Sequence, residues 1–384
     1  MRQRLATVVS TGLMTLSVMM ASSGVARADG VPEAAQLNSS HPPMTLAQAP
    51  APGAANPQPA VPVSGQGKFR FKVFLTSERL PEEAKKVLRS AHGGSAVDHR
   101  PGKGETYFFL RGAGILRVSA DMQSVQLVPT APAMKNVNMH NTTIWYGPDG
   151  APYLVFPANE TGQIFTTNLE GKLLNTLGIP TAGQELGNTT CNEYFAHNGK
   201  FAPTGVEYLD GLYYVSTGYC DLDYVLTAQV SFNPISATWN DLSFGGRGTG
   251  EGKFGTGHSI TVPPGLKRID VADRPNARIE RFSRYGRYLS TLTLPAGTLA
   301  CDIDYWGNYA VVPALDGPDR TKGAPIYFLE NDQVVSTILP KEELGLKNFQ
   351  HIHNAVLREV GGKLYIITQA WNPGDFAILE QVTE

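Results

Sequence analysis

Residues 140–156 are HNTTIWYGPDGAPYLVF. Short apolar runs, IWY and YLVF, lie on either side of a Pro-Asp-Gly turn, a pattern that predicts two short antiparallel strands. Comparable units, each opening with a short apolar strand, begin near residues 98, 204, 258, 302 and 353. The six units are spaced by about 40 to 65 residues, the range of four-stranded propeller blades with loop insertions.

The repeated unit predicts an all-β chain that folds as a six-bladed β-propeller. The segment Phe69–Leu75, FRFKVFL, alternates strongly and has no partner strand before it. We therefore expect it to complete the last blade and close the ring. A β-sandwich is the alternative, but it does not account for one period running through the whole domain. One short helix is expected at Pro81–Ser90, because a proline and two glutamates suit a helix N-terminus.

The N-terminal region has the features of an export signal. Arg2 and Arg4 precede an apolar run, Leu5–Met20, and the sequence Ala-Arg-Ala follows at residues 26–28. This order predicts a signal peptide over residues 1–28 and a secreted or periplasmic protein that has no membrane span after cleavage. An uncleaved N-terminal anchor is the alternative.

The rest of the composition limits the domain and its partners. Residues 29–67 are rich in Pro, Ala, Gly, Ser and Gln, which predicts a disordered linker before a propeller at 68–384. The net charge of −2 argues against nucleic acid as a partner. In an oxidising compartment Cys191 and Cys220 would close the shorter disulfide loop, which leaves Cys301 as a buried thiol. We expect a monomer that acts on a small molecule or a peptide.

Three histidines occupy the same position in alternate units. His140, His258 and His353 open the second, fourth and sixth blades, where the innermost strand lines the channel. Alternate blades of a six-membered ring are about 120° apart, so these side chains are expected to meet on the axis. Three imidazoles with an open position form a catalytic zinc site, and iron or another divalent metal suits the same nitrogens. His351 shares a strand face with His353 but is out of phase with the repeat. The following histidines are interpreted as loop or surface residues: His92, His99 and His197.

Three segments carry a family pattern. They are FAPTGV at 201–206, YVSTGYC at 214–220 and VADRPNARI at 271–279, and a His-Asn pair follows at 353–354. These segments resemble peptidyl-α-hydroxyglycine α-amidating lyase, which is related to the NHL-repeat propellers, and the resemblance covers most of 68–384. It implies an NHL-like propeller and a zinc-dependent lyase that splits a peptidyl-α-hydroxyglycine into a peptide amide and glyoxylate.

The resemblance also implies site residues. The zinc ligands would be the three histidines that open alternate blades, the active-site tyrosine would be Tyr219, and the two active-site arginines would be Arg274 and Arg111. The tyrosine would remove the substrate's hydroxyl proton and an arginine would bind its terminal carboxylate. The family holds a structural calcium through the aspartate of a His-Asp motif. This chain has Asn354 there, a neutral and weaker ligand, so Asn354 and Thr142 are the candidate calcium ligands.

Two other functions are compatible with the same fold. A metal-dependent hydrolase or lyase could act on another small substrate, and a propeller without catalysis could bind a peptide, glycan or protein at the channel mouth. Each assigned side chain also has a structural alternative, since Tyr219 could be a core aromatic and Arg274 a blade-motif residue.

Overall fold

A computed structural model describes residues 60–383. Two strands lead into the domain, β1 (Ser64–Gln66) and β2 (Phe69–Thr76). Within the described residues the strands form five four-stranded sheets and one five-stranded sheet. The predicted all-β, six-bladed propeller is confirmed.

Blades one to three follow chain order, with the first strand innermost. Their strands are β3 (Ser95–Val97), β4 (Thr106–Leu110), β5 (Gly114–Val118), β6 (Val125–Val128), β7 (Thr143–Tyr146), β8 (Pro152–Ala158), β9 (Gln163–Asn168), β10 (Leu173–Leu177), β11 (Gly205–Leu209), β12 (Leu212–Ser216), β13 (Tyr224–Ser231) and β14 (Ser236–Gly245). Blades four to six continue with β15 (Gly257–Thr261), β16 (Arg268–Asp273), β17 (Arg278–Ser283), β18 (Tyr288–Thr293), β19 (Asp304–Trp306), β20 (Tyr309–Pro313), β21 (Ile326–Glu330), β22 (Gln333–Ile338), β23 (Ile352–Val360), β24 (Lys363–Ala370) and β25 (Asp375–Gln381).

The sixth blade joins the two ends of the propeller. Its strand order is β1-β2-β25-β24-β23, and β2 pairs antiparallel with β25 so that Phe71 lies opposite Gln381. The N-terminal strand therefore closes the ring, as the alternation of residues 69–75 predicts. The first strands β3 and β7, β7 and β11, β11 and β15, and β19 and β23 contact one another, and β23 contacts β3, which leaves the innermost strands around a common channel.

The apolar core lies between neighbouring blades. One cluster joins Phe71 of β2 with Phe328 of β21 and Leu357 of β23, and the rings of Phe71 and Phe328 are 5.7 Å apart. All three side chains are fully buried. Sheets of a propeller pack face to face in this way, so each blade depends on both of its neighbours.

Helices are few and short. The expected one is α1 (Glu82–Val87), which follows Pro81 as its N-cap and continues as a 3-10 turn to Ser90. Two more were not expected, α2 (Pro132–Lys135) and α3 (Thr189–Ala196), and the Asn188 side chain caps α3 by accepting a backbone N–H at 2.8 Å. No helix among residues 60–383 is long and apolar enough to cross a membrane.

The predicted linker ends earlier than expected. Residues 64–66, assigned to the disordered segment 29–67, form β1, in which Ser64 is buried and donates its hydroxyl to Glu343 at 2.5 Å. The signal peptide predicted over 1–28 lies outside the described residues.

The predicted disulfide is not formed. Cys191, Cys220 and Cys301 are buried free thiols. Cys220 Sγ accepts the backbone N–H of Ala202 at 3.1 Å, whereas Cys191 Sγ accepts from the Asn188 side chain at 3.3 Å. The two sulfurs therefore take part in separate hydrogen bonds within one apolar cluster.

Ring closure makes a mutational prediction. Replacing Phe71 by alanine should lower the free energy of unfolding by about 3–5 kcal/mol, because it leaves a cavity between the fifth and sixth blades. Phe74→Ala on the same strand is the control, since Phe74 is only partly buried, and it should cost less. Urea denaturation measures both, and equal losses would contradict the role assigned to Phe71.

Candidate functional site

Three imidazoles converge on the channel from alternate blades. His140 lies three residues before the start of β7 and is held by its backbone N–H, which donates to Pro157 O at 2.8 Å. His258 lies in β15 and His353 in β23. The ring centroids are 4.5 Å apart for His140 and His258, 4.6 Å for His140 and His353, and 4.8 Å for His258 and His353. The structure therefore brings together the three histidines that share one repeat position.

Backbone carbonyls fix which nitrogen faces the centre in two of the rings, those of His140 and His258. His140 Nδ1 donates to Thr204 O, and His258 Nδ1 donates to Cys301 O at 2.7 Å. Their Nε2 atoms are then the free, lone-pair nitrogens. His258 Nε2 and His353 Nδ1 are buried without a hydrogen-bond partner among the described residues. His140 and His258 thus have the arrangement of metal-binding imidazoles, whose other ring nitrogen is usually held by an acceptor, whereas His353 Nδ1 has no such acceptor.

The nitrogens of His140 and His353 have a spacing that suits a tetrahedral metal ion. His140 Nε2 and His353 Nε2 are 3.2 Å apart. Two nitrogens bound to zinc at about 2.0–2.1 Å in a tetrahedral site lie about 3.3–3.4 Å from each other. Burial is the main cause that holds the pKa of each of the three imidazoles well below 6.5, so the rings are neutral at pH 7 and keep their lone pairs. The residues present therefore fit zinc or a similar divalent ion.

Tyr219 and Arg274 stand beside this centre. Tyr219 Oη is 3.4 Å from His140 Nε2, and Arg274 Nη1 donates to the same oxygen at 3.3 Å. Burial raises the pKa of the Tyr219 hydroxyl, and the Arg274 charge acts in the opposite direction. Arg274 Nη2 contacts Cys301 Sγ at 3.4 Å, while its Nε is buried and has no partner among the described residues. Within residues 60–383 no carboxylate forms an ion pair with Arg274, so a cation is held beside the histidines without an acidic side chain from this part of the chain to neutralise it.

Arg111 lies outside this group. Its side chain is half exposed and forms an ion pair with Glu160 at 3.2 Å. Glu160 also accepts from Asn138 Nδ2 at 3.1 Å, and Asn138 in turn contacts His92. Arg111 is thus linked to His92 through two intervening side chains, and in the described part of the chain it makes no hydrogen bond to an imidazole.

His92 was interpreted as a loop or surface residue; it lies in a loop, but it is partly buried and its ring faces the other histidines. Its ring lies 4.7 Å from His140 and 4.7 Å from His353, and the ligand nitrogens of these three residues are all within 4.8 Å of one another. Burial lowers the pKa of His92 to about 4. A repeat search misses His92 because it precedes the first blade strand. The neighbouring Gly93-Gly94 pair is a signal that could have marked a close backbone approach.

The other histidines are placed elsewhere. His351 Nδ1 is 3.0 Å from both Leu315 O and Asp316 Oδ1, so its bonds are made away from the three rings. His99 is exposed, and His197 is an exposed residue at the end of α3.

The candidate calcium ligands border an acidic cavity. Asn354 Oδ1 accepts from the Ser95 N–H at 2.8 Å, and Asn354 Nδ2 donates to Asp302 Oδ2 at 2.6 Å, so both of its polar atoms have protein partners. Thr142 Oγ1 is buried without a partner among the described residues. The oxygen-bearing side chains that line the cavity with Thr142 include Asn141, Glu207, Ser259, Thr261, Asp302 and Asp304. Oxygen atoms of this kind suit a hard cation such as calcium.

Comparisons with solved structures found distant likenesses. A catalytically inactive virginiamycin B lyase from Staphylococcus aureus, solved with quinupristin, is 11% identical over 82% of this chain and 100% of its own, with a TM-score of 0.46. A streptogramin B lyase is 14% identical over 76% and 94%, with a TM-score of 0.44, and the Dos1 propeller is 9% identical over 78% and 69%, with a TM-score of 0.40. No protein-family model and no curated protein matches the chain. Likenesses of this degree carry no argument about activity.

The acidic cavity predicts a pH dependence of stability. Burial raises the pKa of Asp302 to about 6 and that of Asp304 to about 7. The folded state therefore keeps protons that the unfolded chain has released, so these groups favour folding at low pH and lose that contribution as pH rises through 6 and 7. In the presence of a chelator, we expect the free energy of unfolding of Asp304→Asn, minus that of wild type, to increase by about 2 kcal/mol from pH 5 to pH 8, because the variant has no carboxyl group there to lose a proton.

Urea titrations at several pH values measure this difference. Asp319→Asn is the control, because the Asp319 pKa is lowered rather than raised and its side chain is exposed. A difference between Asp304→Asn and wild type that does not grow with pH would refute the prediction.

Proposed function

We propose that this protein is a metal-dependent lyase of the amidating-lyase type. In this proposal zinc binds to His140, His258 and His353, and the enzyme cleaves the N–C bond of an α-hydroxyglycine-type substrate to give an amide and glyoxylate. The observation that carries the proposal is the convergence of three neutral imidazoles beside a buried arginine that has no acidic partner. That pairing of a cation site with an anion site suits a small substrate that carries both a hydroxyl and a carboxylate.

The bound ion would supply Lewis acidity, which lowers the cost of removing a proton from an oxygen of the substrate. The first contribution of the protein's own residues is to hold the metal-binding rings in place. Thr204 O and Cys301 O hold the rings of His140 and His258, so their free nitrogens stay aimed at one point without reorganisation. Burial of the rings also excludes water from this point, which strengthens every charge interaction there.

Arg274 is the proposed carboxylate anchor. Its guanidinium is buried, has one unpartnered nitrogen and contacts only weak acceptors, a hydroxyl and a thiol. A carboxylate would give it the charge-assisted, bidentate bonds that it otherwise lacks. The cost of burying this cation is then offset when substrate binds.

Tyr219 is the proposed general base. Its oxygen lies between His140 Nε2 and Arg274 Nη1, so positive charge on the arginine favours the phenolate. From this place the oxygen can accept the proton of a substrate hydroxyl and pass it to the leaving amide nitrogen. The N–C bonding electrons go to nitrogen, while the hydroxyl oxygen becomes the carbonyl of glyoxylate, so that no oxidant is needed.

The remaining expectations belong to the same proposal. Export to the periplasm or medium would place the protein where peptides and small acids can reach it. A structural calcium would be held in the acidic cavity, with Thr142 Oγ1 and Asp302 as oxygen ligands beside Asn354.

A second candidate function is supported by the position of Arg111. The amidating-lyase resemblance assigns two arginines to the site, but Arg111 is paired with Glu160 at the surface. A metal enzyme that acts on a different small α-hydroxy acid needs only Arg274. Such an enzyme would bind zinc and release no glyoxylate from an α-hydroxyglycine peptide.

The first test is activity of the zinc-loaded protein. We expect glyoxylate to be released from an N-acyl-α-hydroxyglycine, about one zinc per chain by elemental analysis, and a loss of at least about 10³-fold in kcat/KM for His258→Ala. His197→Ala is the control, because this histidine is exposed and remote from the rings, and it should keep full activity. Bound zinc without glyoxylate would support the second function, and a folded protein that binds no zinc would exclude both.

The second test separates the two side chains beside the histidines. Tyr219→Phe should lower kcat by about 10²–10⁴-fold with a small change in KM, because the phenyl ring fills the same space but accepts no proton. Arg274→Ala should lower kcat/KM by about 10²-fold or more, mainly through KM, since it removes the carboxylate anchor. Turnover of Tyr219→Phe equal to that of wild type would exclude the base role.

A further inference from the structure

A fourth imidazole completes the group around the channel. His92 contacts both His140 and His353, each at a ring separation of 4.7 Å, which is close to the separations within the other three. The set His92, His140 and His353 is therefore a second triangle that shares an edge with the first. Its ligand nitrogens lie within 4.8 Å of one another, a spacing that a small inward movement of the rings converts to coordination.

Two glycines let the backbone bring His92 to this place. Gly94 N donates to His140 O at 2.8 Å, which ties the segment to the start of the second blade. A Cβ on Gly93 would lie 2.8 Å from Phe109 O, and one on Gly94 would lie 2.6 Å from Asn141 Oδ1. The Gly93 contact is with backbone, which cannot give way, so a larger residue at position 93 would displace the segment that carries His92.

Asn138 sets the orientation of the His92 ring. The amide nitrogen of Asn138 donates to Asn159 Oδ1 at 3.2 Å and to Glu160 Oε1 at 3.1 Å, which uses both of its protons. Asn138 Nδ2 and Oδ1 lie 3.0 Å and 3.3 Å from His92 Nδ1. Because Nδ2 spends its two protons on Asn159 and Glu160, we assign Oδ1 as the acceptor of the His92 Nδ1–H. This leaves His92 Nε2 as the lone-pair nitrogen, as in His140 and His258.

We propose that His92 is a fourth, exchangeable ligand of the metal ion. It would close the coordination shell in the absence of substrate and give up its place when an oxygen of the substrate binds. The proposal rests on the metal site of the proposed function, and it does not depend on which reaction follows.

The surroundings of His92 explain why it, rather than His258, would be the ligand that leaves. His258 is fully buried and is held by Cys301 O within a strand, whereas His92 is only partly buried and lies outside the blade strands. Its ring faces Trp371 at 5.8 Å, and its partner Asn138 contacts Glu160, which is half exposed. A substrate that enters from this side meets His92 before it meets the other three rings. Four bound imidazoles saturate a tetrahedral ion, so one must leave before an open position exists.

Cobalt(II) provides a test that does not need activity. The metal-free full-length protein is titrated with Co²⁺, and affinity and the visible d–d spectrum are recorded. We expect His92→Ala to bind Co²⁺ at least about tenfold more weakly and with a changed spectrum, and added imidazole to restore the wild-type spectrum. Glycolate, a simple α-hydroxy carboxylate, should bind more tightly to Co²⁺-loaded His92→Ala than to Co²⁺-loaded wild type, because no ligand has to be displaced.

Controls separate this proposal from the proposed function. His197→Ala should match wild type, and His258→Ala should lose Co²⁺ binding. His92→Gln replaces His92→Ala if the latter does not fold, since glutamine keeps a polar group of similar length. Equal affinity and spectrum for His92→Ala and wild type would overturn the role of His92 and leave a three-histidine site. Failure of wild type to bind Co²⁺ would overturn both, and glycolate binding that is equal or weaker in His92→Ala would overturn the exchange.

Discussion

The antiparallel pairing of β2 with β25 is the interaction on which the rest of the structure depends. It turns an open row of sheets into a ring, and a closed ring has no free sheet edge at its join. Closure also forces the innermost strands to surround one axis. His140, His258 and His353 are far apart in the sequence, and nothing local holds them together. Their convergence is a property of the ring, so the centre exists only if the sixth blade is completed.

The centre stores unfavourable energy that a ligand can release. His258 Nε2, His353 Nδ1 and Arg274 Nε are buried polar atoms without protein partners in the described part of the chain. Each such atom costs about 1–3 kcal/mol, because it has lost water and gained no bond. Buried groups left in this state are typical of sites whose partner comes from outside the protein. The same unpartnered nitrogens that lower the stability of the folded protein are therefore available to bind a ligand.

The sequence predicts those parts of the structure that repeat. The blade count, the closing strand and the three histidines at one repeat position all follow from periodicity, which is a physical constraint on every unit. His92 belongs to no unit, and only its glycine neighbours hint at its place. Arg111 follows an apolar strand like many site residues, but its direction is set by Glu160 from another blade, a contact that no local pattern encodes. Cysteine spacing likewise cannot tell that Cys191 and Cys220 each have a different hydrogen-bond partner.

The same closing strand has a consequence for how the protein is made. Phe71 pairs opposite Gln381, so roughly 310 residues must be synthesised before β2 finds its partner. At the usual pace of translation this takes about 15–60 s, during which an apolar strand edge has nothing to pair with. Five blades can stack as they emerge, yet the molecule stays an open arc until its final strand arrives. We therefore expect the chain to be most prone to aggregation and proteolysis in that interval, which ends when the C-terminal strand pairs with β2.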